Sequence, residues 1–187
     1  MRIVAGKFRG RPLRAPEGSD TRPTSDRVRE SVFNLLAHGI EGPELVGARV
    51  IDLFAGTGAL GLEAISRGAA YTLFVEEAAG ARAAIRDNVE AMGLTGETRI
   101  FRRDATSLGP AGTMAPFAFA FLDPPYGKGL AELALASLAE GGWLVPGAIA
   151  IVEERRDVTL APPAGFTMLD TRTYGDTAVT FLRWGTG

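Results

Sequence analysis

Asp123-Pro124-Pro125-Tyr126 sets an acid and an aromatic on either side of two residues that have no backbone N–H to donate. The prolines fix the backbone and leave carbonyl acceptors without competing donors. The Asp123 carboxylate and the Pro124 carbonyl can therefore jointly accept both hydrogens of an exocyclic amine. Tyr126 offers a face on which a heterocyclic base stacks. Such acceptors draw electron density toward the nitrogen and aim its lone pair at an electrophile, so the rate comes from positioning and a prearranged polar setting rather than from a strong base.

A second constellation is Val50-Ile51-Asp52-Leu53-Phe54-Ala55-Gly56-Thr57-Gly58-Ala59-Leu60-Gly61-Leu62-Glu63. An apolar run ends in a glycine turn and passes into helix-forming residues, which is the outline of a nucleotide cradle. Gly56 and Gly58 suit a backbone that a ligand approaches closely, and Gly61 lets the helix press on the sheet. A second apolar run, 71–75, ends in Glu76-Glu77, an acid about 20 residues on, where a carboxylate can accept from both ribose hydroxyls. On these residues alone the adenosine-bearing ligand is NAD, ATP or S-adenosylmethionine.

Both constellations need strand ends to carry them. Strands are expected at 49–53, 71–76, 98–102, 117–122, 148–153, 166–172 and 177–184. Helices are expected at 59–67, through Ala81, Ala84, Ile85, Asn88, Val89 and Met92 to a stop at Gly93, and at 130–138. The strand at 98–102 delivers Asp104 just past its end, and ligands of open α/β sheets lie beyond the carboxyl ends of the strands. The turn Gly175-Asp176 implies an antiparallel closing hairpin on a mainly parallel sheet.

Residues 1–29 have a different character. Arg2, Lys7, Arg9, Arg11, Arg14, Arg22, Arg27 and Arg29 face only Glu17, Asp20 and Asp26 as acids. Gly6 and Gly10 suggest a small hairpin. Thr24 or Ser25 then caps a helix with Val28, Val32, Leu35 and Leu36 inward and Arg22, Arg27 and Arg29 near its exposed start, ending at His38 and Gly39. Arginines along such an arm can straddle successive phosphates. Residues 1–39 are thus expected to be a basic, phosphate-binding extension and 40–187 the main domain.

The whole chain of 187 residues suits one compact domain with an appendage, and its net charge of −2 marks no bulk polyanion binder. With no cysteine and one histidine, thiol chemistry, disulfides and Cys/His metal sites are not expected. No apolar run has the length of a signal peptide core or a membrane span, so a soluble, cytoplasmic protein is expected.

Three stretches carry a resemblance over nearly the whole length: Gly6-Lys7-Phe8-Arg9-Gly10-Arg11, Arg22-Pro23-Thr24-Ser25-Asp26-Arg27-Val28-Arg29-Glu30, and 52–64. With the Asp-Pro-Pro-aromatic tetrapeptide, the chain resembles the bacterial RsmD family, S-adenosylmethionine-dependent enzymes that methylate a guanine N2 in 16S, small-subunit ribosomal RNA. The resemblance implies a Rossmann-like class I methyltransferase fold with a mainly parallel seven-stranded sheet and an antiparallel last strand. It also implies that Asp52, Phe54, Ala55, Gly56, Thr57 and Gly58 line the cofactor pocket and that Glu76 holds the ribose. Asp104 and the Ala105 N–H would read the adenine, and Asp123, Pro124, Pro125 and Tyr126 would hold the target base. Lys7, Arg9, Arg11, Arg22, Thr24, Arg27 and Arg29 would bind RNA, presented in an assembling or assembled 30S particle, with the protein a monomer needing no metal and no membrane. Two details depart from the commoner pattern: Glu77 follows the ribose acid, and Tyr126 stands where several relatives have Phe.

Two rival readings share parts of this. An adenine-N6 methyltransferase acting on DNA or RNA would use the same tetrapeptide, though the chain is short for a separate DNA-recognition region. An NAD-dependent oxidoreductase would share the glycine loop but need a Ser-Tyr-Lys cluster or a well-placed histidine, and neither is evident.

Overall fold

The computed structural model describes residues 1–16 and 24–185. Seven strands form one sheet: β1 (Arg49–Leu53), β2 (Tyr71–Val75), β3 (Thr98–Phe101), β4 (Phe117–Leu122), β5 (Leu144–Arg155), β6 (Phe166–Tyr174) and β7 (Thr177–Trp184). They lie in the order β3-β2-β1-β4-β5-β7-β6, the first five parallel and β7 antiparallel to both of its neighbours. This is the expected mainly parallel sheet with an antiparallel last strand. The order reverses on either side of β1, so the crevice between β1 and β4 is the topological switch point.

Alternation along the strands divides the core between two faces. Val50, Phe119, Phe121, Ile149 and Ile151 pack with α1 (Asp26–His38), α2 (Ala59–Ser66) and α3 (Ala79–Ala91), while Ile51, Leu53, Ala120, Leu122 and Val152 pack with α4 (Leu130–Gly141). β5 starts at Leu144, earlier than the expected 148, because a register shift between Phe117 and Phe119 on β4 accommodates Pro146 and Gly147. Ser25 caps α1, its hydroxyl accepting from Val28 N–H at 3.2 Å, and Asp26 lies in the first turn, where the helix dipole favours it.

The inward face of α1 is not the expected one in full. Val32, Phe33 and Leu36 are buried, with Phe33 5.4 Å from the Phe121 ring, but Val28 and Leu35 are only partly covered and Arg29 is fully buried. The expected hairpin before α1 reduces to a bridge between Arg2 and Pro12 and a tight loop, with Ile3 N–H donating to Arg11 O at 2.9 Å and Gly10 N–H to Ile3 O at 2.8 Å. That loop sits on α2. Gly6, at φ +85°, lies so close to Ser66 that a Cβ there would be 1.9 Å from the Ser66 carbonyl oxygen, so only glycine fits. Among the described residues no helix is long and apolar enough to cross a membrane.

Candidate active site

Register builds the site. Leu53 pairs with Val75 and Leu122, Val75 with Phe101, and Leu122 with Val152. One step beyond lie Arg102, Glu76, Phe54, Asp123 and Glu153, a row along the carboxyl edge of the parallel strands. The glycine loop and the Asp-Pro-Pro-Tyr tetrapeptide are therefore neighbours across the switch point, although 67 positions separate Gly56 from Asp123.

The glycine loop is held from three sides. Phe54 adopts φ +55°, the left-handed region that non-glycine residues seldom enter, a strain of the kind found at ligand sites. Gly58, also left-handed at φ +79°, starts α2. Asn88 of α3 donates to Thr57 O and to Arg14 O, each at 3.1 Å, joining loop to arm. Gly61 admits no side chain, since a Cβ would lie 2.6 Å from both Phe74 and Thr72. Its N–H instead donates to Asp52 Oδ2 at 3.0 Å. Burial raises the Asp52 carboxyl to about 8, with the Gly61 bond opposing and the nearby Glu76 charge adding.

Phe54, Val75, Glu76, Glu77, Arg103 and Ala105 line a small pocket beside this loop. Glu76 turns both oxygens to backbone, Oε1 accepting from Gly56 N–H at 2.9 Å and Oε2 from Ala78 N–H at 3.0 Å. Asp104 faces its own turn, its Oδ1 accepting from the Thr106 N–H at 2.8 Å and hydroxyl at 2.7 Å. Ala55 and Ala105 are buried. A wider concavity lined by Arg27, Glu30, Ser31, Asn34, Leu35 and His38 runs along the outer face of α1, and of the expected site residues it includes Arg27 alone. Among the described residues no group of three or more His, Cys, Asp or Glu side chains is arranged to hold a metal ion.

At the other half of the crevice, Asp123 is half-buried, Pro124 buried and Pro125 exposed. Burial, the adjacent Glu153 and the more distant Asp52 all push the Asp123 carboxyl well above the ordinary carboxylate range, while a bond from Thr24 opposes them. The Tyr126 hydroxyl donates to Glu153 Oε1 at 2.9 Å and lies 3.3 Å from Thr177 Oγ1. Burial, with the Glu153 charge, raises the Tyr126 phenol as well. Glu153 escapes sequence reasoning, because an acid in Val-Glu-Glu-Arg at the end of a strand reads as a solvated terminus.

The expected RNA contacts divide. Lys7, Arg9, Arg11 and Arg27 are exposed, and Arg11 also donates to Ala91 O at 2.9 Å. Arg22 lies outside the described residues. Arg29 is a correction: its side chain is 0% exposed, pairs with Glu63 at 3.2 Å and Asp26 at 2.7 Å, and donates to Thr24 O at 3.3 Å and to Arg2 O. It faces no solvent, because Glu63, buried on α2, needs the cation. Thr24 is corrected too: it is buried, and its hydroxyl is engaged with Glu153 at 2.6 Å rather than presented to a phosphate.

The family model described as conserved hypothetical protein 95 matches residues 1–183. Ribosomal RNA small subunit methyltransferase D of Escherichia coli (strain K12) is 40% identical over 154 residues, 82% of this chain and 74% of that one. Its namesake from Haemophilus influenzae is 35% identical over 177 residues, 94% and 89% of the two chains. The solved structure of yhhF from Escherichia coli superposes with a TM-score of 0.83 at 34% identity, covering 99% of this chain and 98% of that one. An RNA methyltransferase from Salinibacter ruber, solved in complex with S-adenosyl-L-homocysteine, shares the fold at 14% identity, TM-score 0.66, with 89% and 95% covered. The fold is that of the class I S-adenosylmethionine-dependent methyltransferases, and the chain belongs to the RsmD family of ribosomal RNA methyltransferases.

Proposed function

We propose that this protein transfers a methyl group from S-adenosylmethionine to the exocyclic N2 amine of one guanine in 16S ribosomal RNA, presented in an assembling or assembled 30S particle. The observation that carries the reading is the juxtaposition of the glycine loop with Asp123 to Tyr126 at the carboxyl ends of β1 and β4. Phe54, Gly56 and Gly58 on the left-handed loop would hold the donor, with its adenosine end toward Glu76 and Ala105, which line a small pocket beside that loop. When bound, it supplies a sulfonium methyl, an electrophile that needs no metal.

This chain's residues do the rest. Glu76 is the acid for the ribose hydroxyls, and the Gly56 N–H it now accepts from is a bond it can exchange. Asp104 and the Ala105 N–H read the adenine edge. Asp123 and the Pro124 carbonyl hold the two amine hydrogens of the guanine, Pro125 stiffens their loop, and Tyr126 packs on the base. As the amine nitrogen forms its new bond, one of its protons passes to an Asp123 oxygen. A carboxyl raised above its ordinary range is the better acceptor for that proton. Residues 1–39 serve as the RNA-binding extension of the 40–187 methyltransferase part, with Lys7, Arg9, Arg11, Arg22 and Arg27 meeting phosphates. The protein is taken to act as a cytoplasmic monomer.

The test is to incubate the protein and labelled S-adenosylmethionine with naked 16S RNA, with small-subunit ribonucleoprotein and with DNA, then identify the product nucleoside by mass spectrometry. N2-methylguanosine from either ribosomal sample is the expected product. N6-methyladenosine would move the assignment to the adenine enzymes, and calorimetry showing NAD bound with S-adenosylmethionine ignored would overturn it. Asp123→Ala should abolish transfer while cofactor affinity stays within about tenfold, since the carboxylate serves the base and not the donor.

A further inference from the structure

Glu153 stands beside Asp123 in the row of strand ends and is 8% exposed. Both of its oxygens are committed to hydroxyls, Oε1 to Tyr126 at 2.9 Å and Oε2 to Thr24 at 2.6 Å. Thr24 Oγ1 also lies 3.4 Å from Asp123 Oδ2, and Tyr126 Oη 3.3 Å from Thr177 Oγ1. One carboxylate thus ties the loop after β4 to the segment that enters α1, next to the acid assigned to the target amine.

A phenol donating to a fixed carboxylate loses its freedom to swing, so the ring keeps one plane for the base to pack against. No phenylalanine at position 126 could be held this way. We propose that Glu153 is a positioning residue for methyl transfer, holding the Tyr126 ring and the Thr24 segment in register with Asp123; this rests on the function proposed above. Its charge has a second effect. The charged or titratable groups facing Asp123 are Glu153 from β5 and Asp52 from β1, with Thr24 and Tyr126 as the hydroxyl neighbours of the pair. Among the described residues no salt bridge reaches Asp123 or Glu153, and Glu154 turns away to the N–H groups of Gly127 and Arg155. Glu153 therefore opposes ionisation of Asp123, and among the described residues no salt-bridged cation offsets it.

The test measures kcat and KM for RNA, from about pH 5 to about pH 9, in wild type, Glu153→Gln, Glu153→Ala, Tyr126→Phe, Thr24→Ser and the Glu153→Ala/Tyr126→Phe double variant. Glu153→Gln should lower kcat roughly tenfold, leave the S-adenosylmethionine Kd within about twofold, and move the acid limb of kcat/KM down by about one pH unit, because Asp123 then ionises more easily. Thr24→Ser, which keeps the hydroxyl, should lose less kcat than Glu153→Gln; a loss as large would mean that the hydroxyl bond to Glu153 is not what positions the segment. Tyr126→Phe should lower kcat in the wild-type background and have little further effect on Glu153→Ala, since both remove the same hydrogen bond.

An acid limb unmoved in Glu153→Gln, or a Tyr126→Phe loss that is the same with and without Glu153, overturns the inference. If Glu153→Ala does not fold, the Glu153→Gln profile and Tyr126→Phe in the wild-type background still decide it. Wild type that methylates no ribosomal RNA sinks the proposed function instead, whereas active wild type with an unshifted Glu153→Gln profile sinks only this inference.

Discussion

At the scale of single residues, Asp52 carries a charge problem that the fold solves by protonation. It is 2% exposed and accepts one N–H, from Gly61, which does not replace the hydration of a carboxylate. Its carboxyl is raised to about 8, burial being the main cause. In the unfolded chain the same group titrates near the usual value of about 4. Between those values the folded protein holds a proton that the unfolded chain has released. Stability is therefore undiminished by Asp52 below the unfolded value and falls as pH rises toward the folded one. Asp52→Asn, whose side-chain oxygen can still accept from Gly61, should remove that slope. In urea unfolding, wild type should lose a few kcal/mol relative to the variant between about pH 5 and about pH 8. Parallel curves would show that Asp52 is ionised throughout.

At the scale of elements, the clamp between the arm, α1 and α2 is the structural counterpart of the cluster around Asp123 and Glu153. Glu63 accepts from Val4 N–H at 2.8 Å and Ala5 N–H at 3.0 Å, and pairs with Arg29 at 3.2 Å and Arg67 at 2.9 Å. Arg29→Ala leaves the other three donors in place, so its cost should fall at the low end for breaking a buried pair, about 3 kcal/mol in urea unfolding. Arg29→Lys should recover only part of it, because an ammonium cannot serve Glu63, Asp26 and two carbonyls from one planar fork. A loss below about 0.5 kcal/mol would mean the clamp is dispensable. The bounds of β1, β4 and β7 are legible in the sequence because their apolar runs are bracketed by turn residues, and the glycine loop and tetrapeptide because each is contiguous. The clamp is not legible, since a helical wheel shows Arg29 near an exposed helix start and says nothing of Glu63 on another helix. Glu153 is hidden for the same reason, as its partners Thr24 and Tyr126 are brought to it only by the packing of α1 and β4 against β5.

At the scale of the whole molecule, a net charge of −2 repels a polyanion slightly, so any affinity for RNA must come from local asymmetry. The exposed Lys7, Arg9 and Arg11 lie on the loop that Glu63 and Ser66 fix to α2, with Phe8 N–H donating to Ser66 Oγ at 2.9 Å and Lys7 N–H to Ser66 O at 2.8 Å. Cations on a fixed loop meet phosphates without the entropic cost of ordering a tail. Met1 and Arg14 touch the glycine loop through Thr57 and Asn88, which ties the arm to the glycine-loop side of the crevice. Each phosphate contact on single-stranded RNA contributes about 0.7 to the slope of log affinity against log salt. Replacing Lys7, Arg9 and Arg11 together by Gln should lower that slope by about 2 and weaken binding most at low salt. Arg29→Lys, charged as before and buried, should leave the slope unchanged even as stability falls. If the triple variant keeps the wild-type slope, the phosphates are met elsewhere, and the concavity along the outer face of α1, lined by Arg27 and His38, is the next surface to neutralise.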